Sequence, residues 1–285
     1  MRRTLVKAGL ALILCWHSSL PTLAQWPDWP TPNVPRLASG EPDYDAPAPR
    51  TADGHPDLSG LWESWGRSRP GRAESRRLEA DGLPREAEPG APPLASYFDL
   101  GANIDGGLPY LDWARELRDA RAANNMKDSP DAHCLPPGVM QLHMHPQPRK
   151  IVQLPQLIVM MWEGNGGLRQ IFMDGRPLPD NDPQPWYYGY SIGHWDGDTL
   201  VVETTGFRDD GWLDVYGSPL TSKGKITERF TRVAYGRMQV DVTIEDTTAY
   251  REPFTVRVEH GVMLDTELIE FVCNENEQST QFFDP

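Results

Sequence analysis

Cysteine is scarce in this 285-residue chain: Cys15, Cys134 and Cys273 are all there is. No Cys-x-x-Cys-His site occurs, no Gly-x-Gly-x-x-Gly follows a strand pattern, and there is neither a Walker loop nor a Gly-x-Ser-x-Gly elbow. Those absences disfavour c-type haem, nucleotide chemistry and serine hydrolysis of the elbow type. Positive charge is also short. Lys and Arg number 27 against 41 Asp and Glu, for a formal charge of −14. Such a surface repels nucleic acid and anionic lipid, and no basic patch overrides it. The apolar run near the N-terminus is too short to cross a bilayer, and nothing later in the chain is long enough.

What is present begins with a leader. Arg2, Arg3 and Lys7 form a positive head, Ala8 to Trp16 an apolar run, and Thr22-Leu23-Ala24 a small-residue cleavage site before Gln25. Residues 1–24 read as a signal peptide, so the mature protein is expected to be periplasmic or secreted. Its loss moves the formal charge from −14 to −17, since three positive residues leave with it. Leu14 stands before Cys15 where a lipid-anchored cysteine needs a small residue, which argues against a lipoprotein. Cys134 and Cys273 then remain, and in an oxidising compartment the expectation is a disulfide, the alternative being two buried thiols.

Residues 25–56 are a Pro-rich lead-in without periodicity or an evident repeat, and residues 57–285 read as one domain. Gly60-Leu61-Trp62 opens a short apolar strand, as the Gly-x-Trp triplet does in lipocalin-like barrels, where the Trp closes the base. Arg76 to Asp81 is a possible short helix. Leu111 to Asn125 is the best helix candidate, with Leu111, Ala114 and Leu117 on one stripe and acidic residues in its first half. Strands are predicted at 150–154, 157–163, 168–173, 191–195, 199–205, 225–233, 237–247, 253–259 and 267–273. Asp196-Gly197-Asp198 supplies a tight turn in the central hairpin. Met238, Val240, Val242 and Ile244 alternate with polar residues, the mark of a half-buried strand. Strands recurring every 8 to 12 residues with turn signals between them point to an all-β fold. The expectation is a lipocalin-like antiparallel up-and-down β-barrel, with a short helix and long Pro-rich N-terminal and inter-strand loops. The alternative is a β-sandwich.

Five segments carry a resemblance: Cys134 to Gly138, Arg169 to Arg176, Gly189 to Glu203, Glu228 to Phe230 and Cys273 to Asn276. They read CLPPG, RQIFMDGR, GYSIGHWDGDTLVVE, ERF and CNEN, and in this order they resemble a large family of uncharacterised secreted bacterial proteins. The resemblance spans roughly residues 57–276 and implies export, but no activity. It departs at Leu142-His143-Met144-His145-Pro146, where the family has a stretch without histidine.

Several residues suit chemistry. His143 and His145, read as a strand, would put two imidazoles on one face, the start of a divalent-metal site. Surface histidines beside Pro146 are the plainer reading. Glu163 ends an apolar strand and Arg169 lies early in the next. A carboxylate at a barrel mouth makes a general base with Arg169 as anion stabiliser, or the two form a structural ion pair. Tyr190 and His194 share a face and suit proton donation, or His194 is a satisfied core histidine. Trp186, Tyr188 and Trp212 are candidate substrate walls, or packing plugs. Glu228 and Glu270 alternate with apolar residues, so each is read as an inward carboxylate that must be paired or used.

The functional expectation is an exported, cofactor-independent acid–base enzyme of lyase, isomerase or hydrolase type. It would act on a small neutral, sugar-like or partly apolar molecule, with Glu163, His194, Tyr190 and Arg169 as its catalytic set. The alternatives are a non-catalytic lipocalin-like binding protein and a metalloenzyme using His143 and His145. Neither nucleic acid nor the membrane is an expected partner.

Overall fold

The strict alternation of apolar and polar residues is what closes this sheet. The structure, a computed structural model, describes residues 29–64, 89–179 and 184–275; the leader and the expected helix at 76–81 lie outside the described residues. Eleven strands are assigned: β1 (Gly60–Ser64), β2 (Arg149–Gln153), β3 (Leu157–Trp162), β4 (Leu168–Phe172), β5 (Tyr190–Asp196), β6 (Thr199–Thr205), β7 (Gly211–Trp212), β8 (Pro219–Leu220), β9 (Lys225–Ala234), β10 (Arg237–Glu245) and β11 (Phe254–Met263). Two α-helices accompany them, α1 (Asp112–Ala123) and α2 (Val139–Met144). Nine strands form a closed ring in the order β1-β11-β10-β9-β6-β5-β4-β3-β2, while β7 and β8 make a separate ribbon. The barrel expectation therefore holds and the sandwich is set aside.

The ring is not antiparallel throughout. An odd number of strands cannot alternate direction all the way round, so one junction must be parallel. It falls between β4 and β5, where Ile171 pairs with Ser191 and Phe172 with Ile192. Because β5 pairs parallel to β4, the chain enters β5 at the end of the barrel where β4 began. Lipocalin barrels close with eight strands; this one adds a ninth and the crossing loop with it. The strand expected at 267–273 is absent: β11 runs on to Met263 and closes against β1, leaving 264–275 as irregular chain.

Inward positions follow the alternation. Met238, Val240, Val242 and Ile244 are fully buried, as are Ile226 and Phe230 on β9 and Val256 on β11. Trp62 is fully buried too; its Nε1–H donates to the Leu58 carbonyl at 3.0 Å, and the Arg232 guanidinium lies 4.9 Å from its ring centre. That closes one end. The other end is stoppered by α2, all six residues of which are buried. Gly138, just before α2, must be glycine because a Cβ there would come 2.7 Å from the Trp212 carbonyl oxygen. The side chain of Gln141 donates to the Asp214 carbonyl at 3.0 Å, tying α2 to the loop that carries β7 and β8.

The lead-in holds a repeat that composition alone hides. Pro35 to Asp43 and Pro49 to Asp57 share the pattern Pro-Arg-x-Ala-x-Gly-x-Pro-Asp and fold the same way. In each, the Arg donates to the Gly carbonyl, at 2.8 Å for Arg36 and 2.7 Å for Arg50, and the Gly has φ near +88°, at 87° and 89°. Only glycine adopts that backbone freely. The second copy clasps the central hairpin: Arg50 pairs with Asp198 at 2.6 Å, and His55 stacks on Trp195 with ring centres 4.6 Å apart.

Candidate functional site

Beneath α2 the apolar interior gives way to charge. Glu228 on β9 is fully buried and holds Arg169 of β4 in a two-pronged pair, Nη1 to Oε1 at 2.9 Å and Nη2 to Oε2. Arg169 also donates from Nε to Ser191 at 3.0 Å and from Nη2 to Thr204 at 2.7 Å. Ser191, with Gly193 two residues on, gives β5 an inner face of small side chains, which leaves room for the guanidinium. Paired this way, two buried charges are compensated by geometry and by hydrogen bonds to their remaining atoms.

His143, descending from α2, donates Nε2–H to Glu228 Oε1 at 2.6 Å. Its Nδ1 faces His260 Nε2 at 3.4 Å, and Arg149 Nη1 approaches His260 Nδ1 at 2.6 Å and, less closely, Nε2 at 3.2 Å. The directions follow from the ends. Arg149 can only donate and the Glu228 carboxylate can only accept, so His260 accepts at Nδ1 and donates at Nε2, and His143 accepts at Nδ1 and donates at Nε2. The result is a one-way chain of hydrogen bonds from Arg149 through both neutral imidazoles to Glu228. Arg149 also donates to the carbonyls of His143 at 2.7 Å and His145 at 3.1 Å, so it anchors the end of α2 as well.

Burial sets the protonation states. It pushes His143 below its ordinary value, with the Glu228 bond acting the other way. It pushes His260 well below its own, helped by the positive Arg149. Burial also works to raise Glu228, but the Arg169 charge and hydrogen bonds overcome it and hold the carboxyl at about 2. Arg149 is lowered to about 9 by burial and stays charged at neutral pH.

Against this frame the expected site residues separate. Arg169 and Glu228 are inward and paired, as an inward carboxylate requires. Glu163 lies outside, on the turn between β3 and β4, accepting from the Ile269 backbone N–H at 3.2 Å. Tyr190 and His194 do share a face, but it is the outer one, with His194 exposed. The four expected catalytic residues therefore do not converge on one cavity. His143 and His145 lie on a helix turn and its end, not on a strand, so they diverge: His143 meets Glu228, while His145 lies edge-on to Tyr97 with ring centres 5.7 Å apart. Among the described residues no group of three or more His, Cys, Asp or Glu is placed to hold a metal ion. Glu270 is exposed on irregular chain. Trp212 is buried under Arg121, whose guanidinium lies 4.4 Å from its ring centre. Cys134 and Cys273 are bonded, with Cα atoms 5.6 Å apart. Sequence reasoning missed Arg149 and His260, whose only signal is an inward place in an alternating strand.

A groove of about 320 Å³ opens beside the network, where the crossing loop returns to β4. Trp186, Tyr187 and Tyr188 form one wall and Leu168 and Gln170 of β4 the other; Gln184 adds a second amide, and Arg169 borders the groove with its guanidinium held inside by Glu228. Trp186 is 44% exposed. Tyr188 packs on Trp162 with ring centres 6.0 Å apart; its hydroxyl is buried without a hydrogen-bond partner among the described residues, and burial raises it to about 12. Of the expected wall residues, Trp186 and Tyr188 line this groove and Trp212 does not.

Comparison with protein-family models, with curated proteins and with solved structures finds no match.

Proposed function

We propose that this chain is an exported barrel protein that binds a small, neutral, partly apolar or sugar-like molecule in the groove between β4 and the Trp186–Tyr188 segment. The groove itself carries the reading. Three consecutive aromatic residues and two amide side chains edge on a space of about 320 Å³, with Arg169 at its border. That volume is at the lower end of small-molecule sites, and a mostly apolar lining with few polar groups is their usual chemistry. Export is supported by the leader and by the Cys134–Cys273 bond, and kinship with the secreted bacterial family belongs to the same proposal. The test is titration of the mature protein with methyl β-glucoside and with cyclohexanol, followed by tryptophan fluorescence. At least one should bind, and Trp186→Ala should weaken it about tenfold, one aromatic contact's worth. If neither binds, or if Trp186→Ala changes nothing, the groove is not the site.

Acid–base chemistry on the same molecule is the second reading. Its support is that Arg169 both edges the groove and holds Glu228, the end of the imidazole chain. His143 and Glu228 are fully buried, so catalysis requires the wall beside Arg169 to open and admit the substrate. Turnover of a groove ligand that His143→Ala abolishes would establish it; binding without turnover leaves the first reading alone.

A further inference from the structure

The groove does not end at Trp186. Tyr190, on the outer face of β5, stands 5.7 Å from Trp186 between ring centres, and Phe172 of β4 stands 5.2 Å from Tyr190. The Arg176 guanidinium lies 3.9 Å from the Phe172 ring centre and donates to the Tyr190 hydroxyl at 3.1 Å. Asp174 grips the same guanidinium, Nη2 to Oδ2 at 2.6 Å and Nε to Oδ1 at 2.9 Å. An aromatic strip therefore runs from the groove along the β4–β5 surface and ends at a fixed acid–base pair that offers both donors and acceptors.

The outward face of β10 and of the facing part of β11 is polar, with Gln239, Thr243 and Thr255 among charged residues that pair across the sheet as Asp241 with Arg257 and Glu259 with Arg237. In contrast to that polar face, a partly exposed row of aromatic rings marks a binding surface. The formal charge of −14 sets aside nucleic acid and anionic lipid, and it opposes a second copy of the same chain. What fits rings in a row with amides and an Arg–Asp pair at the margin is a chain of linked sugar rings. Each presents an apolar face of C–H groups to an aromatic ring and hydroxyls to the polar margin.

Resting on the groove reading and extending it, we propose that the groove and the Trp186–Tyr190–Phe172 strip together form an extended site for a neutral oligosaccharide.

The test uses calorimetric titration of the mature full-length protein with glucose, cellohexaose, maltohexaose and xylohexaose. At least one hexasaccharide should bind ten or more times more tightly than glucose, a gain of about one aromatic contact. Tyr190→Ala should remove that gain. Trp186→Ala, at an exposed position that the fold does not depend on, should reduce it as well, and Thr243→Ala on the opposite outer face should leave it intact. Equal affinity for glucose and every hexasaccharide, or a gain untouched by both aromatic substitutions, overturns the extended site. If no hexasaccharide binds while methyl β-glucoside or cyclohexanol still does, the extension fails and the groove stands. If none of the six probes binds, both fail.

Discussion

Arg149 donates to Nδ1 of His260 at 2.6 Å, and the protonation of two buried imidazoles follows from that one bond. With a guanidinium as donor, His260 has no place for a second proton at that nitrogen; the same Nη1 lies 3.2 Å from its other nitrogen, which also faces His143 at 3.4 Å. Both rings are held neutral by position as well as by burial.

Acid should therefore weaken the fold in two stages. His143 and His260 lie below the ordinary histidine value of 6.5, so the unfolded chain takes up protons first as pH falls. Stability is complete above that value and declines below it, by roughly 1.4 kcal/mol per pH unit for each histidine. Glu228, held at about 2, adds a loss in the same direction as pH falls from its ordinary 4.5 toward 2. Urea unfolding midpoints at a series of pH values between 8 and 2 measure this. The decline should begin near pH 6.5 and shrink in His260→Gln; a profile flat from pH 7 to 5 would count against it.

Breaking the Arg169–Glu228 pair from one side should be far worse than removing it whole. Arg169→Met leaves a fully buried carboxylate without its countercharge, at a cost of about 3–5 kcal/mol. Arg169→Met with Glu228→Met removes both charges and should recover much of that loss. A double-mutant cycle in urea gives the coupling directly, and additive losses would show that the two do not act as a unit.

The disulfide joins residues 139 apart in sequence and fastens the segment before α2 to the chain after β11. Labelling of the denatured, unreduced mature protein should find no free thiol. Replacing both cysteines with Ser should destabilise by up to about 4–5 kcal/mol in the chain-entropy view. Two labelled cysteines, or an unchanged melting temperature in the double variant, would refute the bond or its weight.

Tyr188→Phe should leave the fold as stable or raise it by about 1 kcal/mol, because the lost hydroxyl is a buried group with no partner among the described residues. Thermal unfolding decides the matter. A loss of several degrees would mean that the hydroxyl is bonded in solution.

Much of the barrel was legible because burial on one side writes itself as period two. Met238 to Ile244 announced their strand, and Glu228 between Ile226 and Phe230 announced a carboxylate facing inward. Helix α1, expected at 111–125, runs Asp112–Ala123. The stopper α2 was not legible. It is six residues long and buried all round, so it has no polar face to mark its period, and His-x-His read as a strand. Tyr190 and His194 were placed on one face correctly, yet alternation cannot say which face is inside. Here the small residues Ser191 and Gly193 face inward and the large ones outward, the reverse of the usual pattern, because the space is taken by Arg169, Met173 and Leu200. The expected convergence on Glu163 failed for a related reason: the turn after β3 faces its carboxylate to the C-terminal segment, not into the barrel.

The parallel junction between β4 and β5 makes the cylinder unequal around its girth. It has two paired positions, where β5 and β6 have seven. It is a seam, and a cylinder under stress splits along its seam. If heat, acid or a ligand parts the wall, the first amides to exchange with solvent will be those of Ile171, Ser191 and their neighbours. The gap would reach the guanidinium of Arg169, which draws the two sides together through Ser191 and Thr204. The buried charges thus act as a rivet across the weakest line of the wall.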